Sequence, residues 1–242
     1  MDRLYIVIPA YNEAENITAV IDDWYPIIEA HGGNGQSRLV VVNDGSRDDT
    51  GTILRECARK KPLLVALDKP NGGHGSAVLY GYRYAIAHGA DFIFQTDSDG
   101  QTLPGEFGPF WDEREHCDAV IGNRTHRQDG FFRVVVEWVL RALLACVFGV
   151  RVPDANAPYR LMKASMVQKY MRYMPEDYNL PNAMLTTLFC YFGERVAFRP
   201  ISFRPRQAGV NSINVRKIVK IGWKAVGDFI AIRVAAGKDR GK

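Results

Sequence analysis

Asp97-Ser98-Asp99 sets two carboxylates one residue apart, with only Gln95 and Thr96 between them and the apolar run Phe92-Ile93-Phe94. A pair so placed can converge on a hard divalent cation. Mg²⁺ takes one or two carboxylates and completes its shell with water and phosphate oxygens. Such a metal neutralises a diphosphate leaving group, and Gln101 offers a further neutral oxygen. Read alone, the same residues also make a polar turn. Three more polar clusters follow apolar runs: Pro9-Ala10-Tyr11-Asn12-Glu13, Asn43-Asp44-Gly45-Ser46 and Asn71-Gly72-Gly73-His74-Gly75. Each alone is compatible with a turn and a helix cap; together they point to a ligand site. Asp44 can accept hydrogen bonds from a base or a ribose, or cap the next helix. The glycines after Asn71 let backbone approach a ligand, and the helix that follows favours negative charge at its start. His74 is either a solvated loop residue or a catalytic one.

These clusters need a frame that brings them to one edge. The spacing predicts strands at 4–8, 39–42, 63–67, 92–94 and 119–121, with helices at 12–28, 48–60 and 74–88. Asn12 with Glu15 three residues on reads as the cap of the first helix. Short apolar strands alternating with helices indicate an α/β fold with a mostly parallel sheet covered on both faces. Ligands of such sheets bind outside the carboxyl ends of the strands, where all four clusters fall. After Gly122 the pattern changes: helices at 132–148, from 165 and at 181–192, a short strand at 159–162, an edge strand at 196–203, and a closing helix at 213–234. No repeat or linker interrupts the chain. A catalytic domain over 1–212 is expected, followed by a basic amphipathic helix and tail over 213–242.

The bulk numbers exclude several classes. The chain has 242 residues, 47% hydrophobic and 24% charged, the proportions of a globular protein rather than a disordered or disulfide-stapled one. Cys57, Cys117, Cys146 and Cys190 contain no CxxC pair, which argues against a zinc site and a secreted framework. The opening MDRLYIVIPAYNE turns polar after Pro9, so no signal peptide is expected and a cytoplasmic location is. Residues 131–150 are very apolar, but Arg133, Glu137 and Arg141 interrupt them, so no membrane span is expected. The net charge of +4 divides unevenly. Residues 1–202 hold 21 basic and 25 acidic residues, whereas residues 203–242 hold 10 and 2. That suits a phosphate-rich ligand and an anionic surface, not nucleic acid.

Taken in order, VIPAYNEAENI, VVNDGSRDDT, NGGHGSAVLYG, QTDSDGQTLP, IGNR, VPDANAPYRLMK and FRPRQAGVNSI resemble the signatures of family-2 glycosyltransferases with a GT-A fold. The branch is the dolichol-phosphate mannosyltransferase-like one, which includes bacterial polyprenyl-phosphate sugar transferases. The resemblance covers roughly residues 4–220. It implies an inverting transferase that uses Mg²⁺ or Mn²⁺ and a nucleoside-diphosphate sugar. Asp97, Asp99 and Gln101 would hold the metal. Pro9, Ala10, Tyr11, Asn12, Glu13, Asp44, Ser46, Asn71, Gly73, Gly75 and Ser98 would line the donor pocket with Asp97. Arg124, Arg133, Arg160, Arg204 and Arg206 would serve phosphates of the donor or acceptor. Arginine binds phosphate in a bidentate way; the alternative for each is a solvated residue, and for Arg133 a partner of Glu137.

One departure concerns the acceptor. The family usually has Ser-Gly-Phe-Arg where this chain has Asn156-Ala157-Pro158-Tyr159-Arg160. A hydroxyl acceptor needs a general base, whereas a phosphate acceptor is already ionised. Asp154 is the best candidate for that base, and could equally cap a loop. A lipid-phosphate acceptor is therefore favoured over a hydroxyl of a glycan, lipid or small molecule. A non-catalytic nucleotide-sugar binding subunit is the remaining alternative, disfavoured by the intact Asp44, Asp97, Asp99 and Arg124. The last helix sets Lys217, Lys220 and Lys224 opposite Val226, Phe229 and Ile230. With Trp223 it suits either an anionic membrane surface or packing on the domain, and a membrane surface or membrane-protein partner is expected.

Overall fold

The structure, a computed structural model, describes residues 2–124, 131–204 and 215–240. Among the described residues seven strands form one sheet in the order β3-β2-β1-β4-β6-β5-β7. They are β1 (Leu4–Ala10), β2 (Arg38–Asp44), β3 (Leu64–Lys69), β4 (Phe92–Gln95), β5 (Ala119–Arg124), β6 (Arg160–Lys163) and β7 (Val196–Ile201). β1 pairs in parallel with β2 and β4, β2 with β3, and β5 with β7. β6 runs antiparallel to both β4 and β5, and so joins two parallel blocks. The helices are α1 (Ile17–Ala30), α2 (Thr50–Lys60), α3 (His74–Ala87), α4 (Phe107–Asp112), α5 (Phe131–Phe148), α6 (Ala164–Met171), α7 (Pro181–Phe192) and α8 (Val215–Arg240).

The period-2 pattern of the strands decides the two cores. Leu4, Ile6 and Ile8 face one side with Leu39 and Val41, where Trp24 of α1, Leu54 of α2 and Phe107 of α4 cover them. Tyr5 and Val7 face the other side with Val40 and Val42, under α3, α6 and α7. Strands buried on both faces read as continuous apolar runs, as parallel sheets require. Each fully buried Val, Ile or Leu contributes roughly 1.5–3 kcal/mol by removal from water.

Three sequence expectations are corrected. α1 begins at Ile17, not beside Asn12. Asn12 adopts a left-handed φ of 54° in the preceding loop, and the Glu13 carbonyl accepts the amides of Asn16 and Ile17, so the cap lies at Asn16. The short α4 follows Pro104 and was not expected from the periodicity. The closing helix runs on to Arg240 because Asp239 receives Arg172 and the Tyr173 hydroxyl, while Arg233 and Arg240 lie over the Tyr191 ring. Its buried stripe is Ala225, Phe229, Ile232 and Ala236, part of the same core as the sheet, whereas Ile230, expected on the same face as Phe229, is exposed. Among the described residues no helix is long and apolar enough to cross a membrane.

Candidate active site

β2 and β3 lie to one side of β1, and β4 lies to the other. This reversal opens a crevice at the carboxyl ends of the strands, where such sheets take ligands. The four polar clusters meet there.

The loop after β1 is tied to the loop after β2. The Asn12 amide donates to the Ser46 hydroxyl (3.0 Å), the Glu13 amide to Thr50 Oγ1 (2.9 Å) and the Arg47 amide to Asn12 Oδ1 (2.8 Å). Pro9 and Ala10 are buried beneath, and Tyr11 stands exposed above them. Asp44 is 2% exposed and organises the next loop. Its carboxylate accepts the amides of Gly72 (2.9 Å) and Gly73 (2.8 Å) and forms an ion pair with Lys69. The strand register explains the pair, since Asp44 stands opposite Lys69. Asn71 Nδ2 donates to the Asp44 carbonyl (2.8 Å). Glycine is required at two points here. Gly45 has a φ of 64°, and a Cβ on it would meet the Asn71 amide at 2.7 Å. A Cβ on Gly75 would stand 2.2 Å from the Tyr178 carbonyl.

Asp97 follows β4 with its side chain a quarter exposed. Its Oδ1 accepts Gln95 Nε2 (3.2 Å) and lies 3.0 Å from His74 Nε2. Desolvation lowers the His74 pKa, but Asp97, then Asp99 and Asp44, outweigh it and raise the pKa above the usual value. Asp99 Oδ1 accepts the Gln101 amide (3.1 Å), which curls the turn so that both carboxylates sit at its rim. Among the described residues no group of three His, Cys, Asp or Glu side chains forms a metal cage. Two carboxylates with shared phosphate oxygens are the donor set a Mg²⁺-type ion uses, so Asp97 and Asp99 fit that class of ion. Gln101 does a second thing that sequence reasoning missed. Its Nε2 donates to the Arg204 carbonyl (2.8 Å) and its own carbonyl accepts the Arg204 amide (2.9 Å). The turn at 97–101 is thereby laced to the segment after β7.

The arginines divide. Arg124, at the end of β5, grips Asp154 through Nε (2.7 Å) and Nη2 (2.9 Å), with Glu137 of α5 3.7 Å away and the Phe203 ring beside the guanidinium. Asp154 is 2% exposed, and also accepts the Asn156 amide. Arg160 does not face the crevice at all. It is fully buried, and its guanidinium donates to the carbonyls of Ala155, Ala157 and Asn182 and to the Thr186 hydroxyl. It therefore holds the 155–157 loop against α7 rather than presenting charge to a phosphate. Arg204 is exposed at the rim. Arg206 and the side chain of Arg133 lie outside the described residues, as do the side chains of Lys217, Lys220 and Trp223. Lys69 was legible only through the register with Asp44, and Glu137 only through packing of α5.

A family model described as Glycosyl transferase family 2 matches residues 5–174. The chain is 27% identical over 231 residues to a polyprenol monophosphomannose synthase of Mycolicibacterium smegmatis, covering 92% of this chain and 85% of the relative. It is 24% identical over 225 residues to an undecaprenyl-phosphate 4-deoxy-4-formamido-L-arabinose transferase of Edwardsiella ictaluri, covering 91% of this chain and 66% of the relative. A crystal structure of glucosyl-3-phosphoglycerate synthase from Mycobacterium tuberculosis with Mn²⁺, UDP-glucose and phosphoglyceric acid superposes with a TM-score of 0.66 at 20% identity. That likeness covers 96% of this chain and 80% of the other, and establishes the GT-A fold.

Proposed function

The chain belongs to glycosyl transferase family 2 and is a glycosyltransferase, and from that premise we propose that it moves a sugar from a nucleoside-diphosphate sugar to a polyprenyl phosphate. The loops zipped by Asn12, Ser46 and Asp44 form the donor pocket, with Pro9, Ala10, Tyr11, Glu13, Asn71, Gly73, Gly75 and Ser98 lining it. Asp97 and Asp99 would hold Mg²⁺ or Mn²⁺, which would supply positive charge to the departing diphosphate. Gln101 either completes that set through Oε1 or acts only through its bonds to Arg204. An acceptor phosphate oxygen attacks the anomeric carbon from the face opposite the diphosphate. One C–O bond forms as the other breaks, and the electron pair leaves on the diphosphate. Arg124 and Arg204, with Arg133 and Arg206, supply charge for the phosphates at the acceptor side.

The observation that carries the phosphate acceptor is the state of Asp154. Both of its oxygens accept hydrogen bonds from Arg124, and the carboxylate is 2% exposed. A carboxylate so engaged is a poor base for a hydroxyl, whereas a phosphate acceptor needs no base. Asp154 accordingly positions Arg124 rather than removing a proton. The names of the two relatives, both polyprenol enzymes, support the same acceptor class. The test is incubation with UDP- and GDP-sugars, Mg²⁺ or Mn²⁺ and a short polyprenyl phosphate, read by mass. Glycosylated polyprenyl phosphate is expected; transfer to free hydroxyls alone would overturn the reading.

A lipid acceptor places the enzyme at the cytoplasmic face of a membrane, as a peripheral protein. Two features support this. The exposed large apolar side chains Val136, Trp138 and Val139 lie on α5, and Ile230 and Val234 on α8. On α8, Ile230 and Val234 fall opposite the buried stripe by helix geometry, between the exposed Lys224 and Lys238. Lysines flanking an apolar face suit anionic headgroups. Sedimentation with phosphatidylglycerol vesicles is expected, and its loss in Ile230→Asp/Val234→Asp. Equal recovery of both proteins with the vesicles would sink the assigned face.

A further inference from the structure

We infer that Tyr82 and Gln95 form a buried positioning pair that selects which oxygen of Asp97 faces the crevice. The inference deepens the proposed metal-and-diphosphate site and rests on that reading for its consequence, though not for its geometry.

Gln95 closes β4 and Tyr82 lies on α3; both side chains are fully buried. The Tyr82 hydroxyl donates to Gln95 Oε1 (3.3 Å), and Gln95 Nε2 donates to Asp97 Oδ1 (3.2 Å). A carboxamide has one accepting and one donating end. Turned over, Gln95 would set its carbonyl against the carboxylate of Asp97. The tyrosine proton, held on Oε1, opposes that flip from the far side.

A buried cation, Arg160 of β6, stands on the neighbouring strand. The strand register places it opposite Gln95, and it is buried with neutral hydrogen-bond partners only among the described residues. Its charge acts on both Tyr82 and Asp97. The acceptor of the Tyr82 hydroxyl is Gln95 Oε1, so its proton faces Gln95. Burial also pushes the Tyr82 pKa up, so the hydroxyl keeps its proton. Dipoles then align from hydroxyl through amide to the carboxylate of Asp97. Aligned hydrogen bonds in a low-dielectric interior strengthen one another.

The consequence lies at Asp97. Gln95 and His74 both address Oδ1. Among the described residues no hydrogen bond engages Oδ2, which is left for a cation. Tyr82 and Gln95 touch neither substrate nor metal; they are positioning residues, acting through Asp97.

The test uses Tyr82→Phe and Gln95→Leu in the full chain, with Mn²⁺ binding followed by electron paramagnetic resonance in the presence of UDP or GDP. Outer partners of ligating carboxylates are worth about 10–100-fold in metal affinity. We expect a loss in that range for Gln95→Leu and a smaller one for Tyr82→Phe, with KM for the metal rising more than kcat falls. A lower Tm with unchanged Mn²⁺ affinity in both variants would show a merely structural pair and overturn the inference. Metal-free crystal structures of the wild type and Tyr82→Phe provide a readout independent of activity. A turned Gln95 amide with a displaced Asp97 supports the inference; an unmoved Asp97 overturns it. A wild type that binds no Mn²⁺ while Asp97 moves in Tyr82→Phe would remove the metal reading and leave the pair standing.

Discussion

Asp44 and Asp154 are each 2% exposed and each engages a cation, yet the two are built differently. Asp44 draws its donors from the next β-α unit: Lys69 and the backbone amides of Gly72 and Gly73. Its charge is used to shape a loop. Asp154 draws on Arg124 of β5, in a group that includes Glu137 of α5 and the Phe203 ring. Its charge is used to hold a side chain. The Asp44 region thus fixes backbone, while the Asp154 region holds a guanidinium between carboxylates. Under the proposed function a phosphate would compete with Asp154 for Arg124, whereas two of the donors to Asp44 are backbone amides fixed by their loop.

The comparison can be broken most severely at Asp154. Asp154→Ala leaves Arg124, 10% exposed, without its bidentate partner, and breaking a buried pair this way costs about 4 kcal/mol. Urea denaturation should show that loss; a change under about 1 kcal/mol would mean that Glu137 suffices. Next comes the seam between the halves. Gly75→Ala drives a Cβ to within 2.2 Å of the Tyr178 carbonyl, and the overpacking should cost about 3 kcal/mol. Donor affinity and folding should fall together, measured by UDP or GDP titration beside thermal melts.

Asp44→Asn keeps the shape but turns an amide toward donors that expect a carboxylate. About 2 kcal/mol of stability should be lost, with weaker nucleotide binding and intact vesicle binding. Equal losses of both would contradict the division of labour. The smallest effect is expected far from the crevice, at Asp118, where Arg195 and then Lys163 hold the carboxyl well below the usual range. A depressed pKa adds stability above the unfolded value of about 3.9, lost as pH falls through the folded one. Asp118→Asn should therefore cost about 1 kcal/mol at neutral pH, with the gap to wild type closing in acid. A gap that persists at low pH would assign the effect to packing.

The four polar clusters were legible because each follows its strand within a few residues, and parallel strands deliver their carboxyl ends to one edge. The region after Gly122 was not legible in the same way. Arg160 stands in a recognisable segment, but only the β4·β6 pairing shows that it is buried behind Gln95. Asn12 carries the right residue type for a cap, yet the Ser46 and Arg47 contacts hold it in a left-handed turn. Tertiary hydrogen bonds there outweigh a local preference worth about 1 kcal/mol.

The sequence by itself determined the alternation of strands and helices, the edge on which the chemistry gathers and the Asp97/Asp99 pair. All three depend on residues close in the chain and on periods of two and 3.6. Tertiary structure alone decided that Lys69 belongs to Asp44, that Arg124 belongs to Asp154, and that Tyr82 reaches Asp97 through Gln95. Those partners are 13 to 30 residues apart, save Gln95 and Asp97. Charge and hydrogen bonding act through space, so their pairing follows from strand register and helix packing rather than from order along the chain.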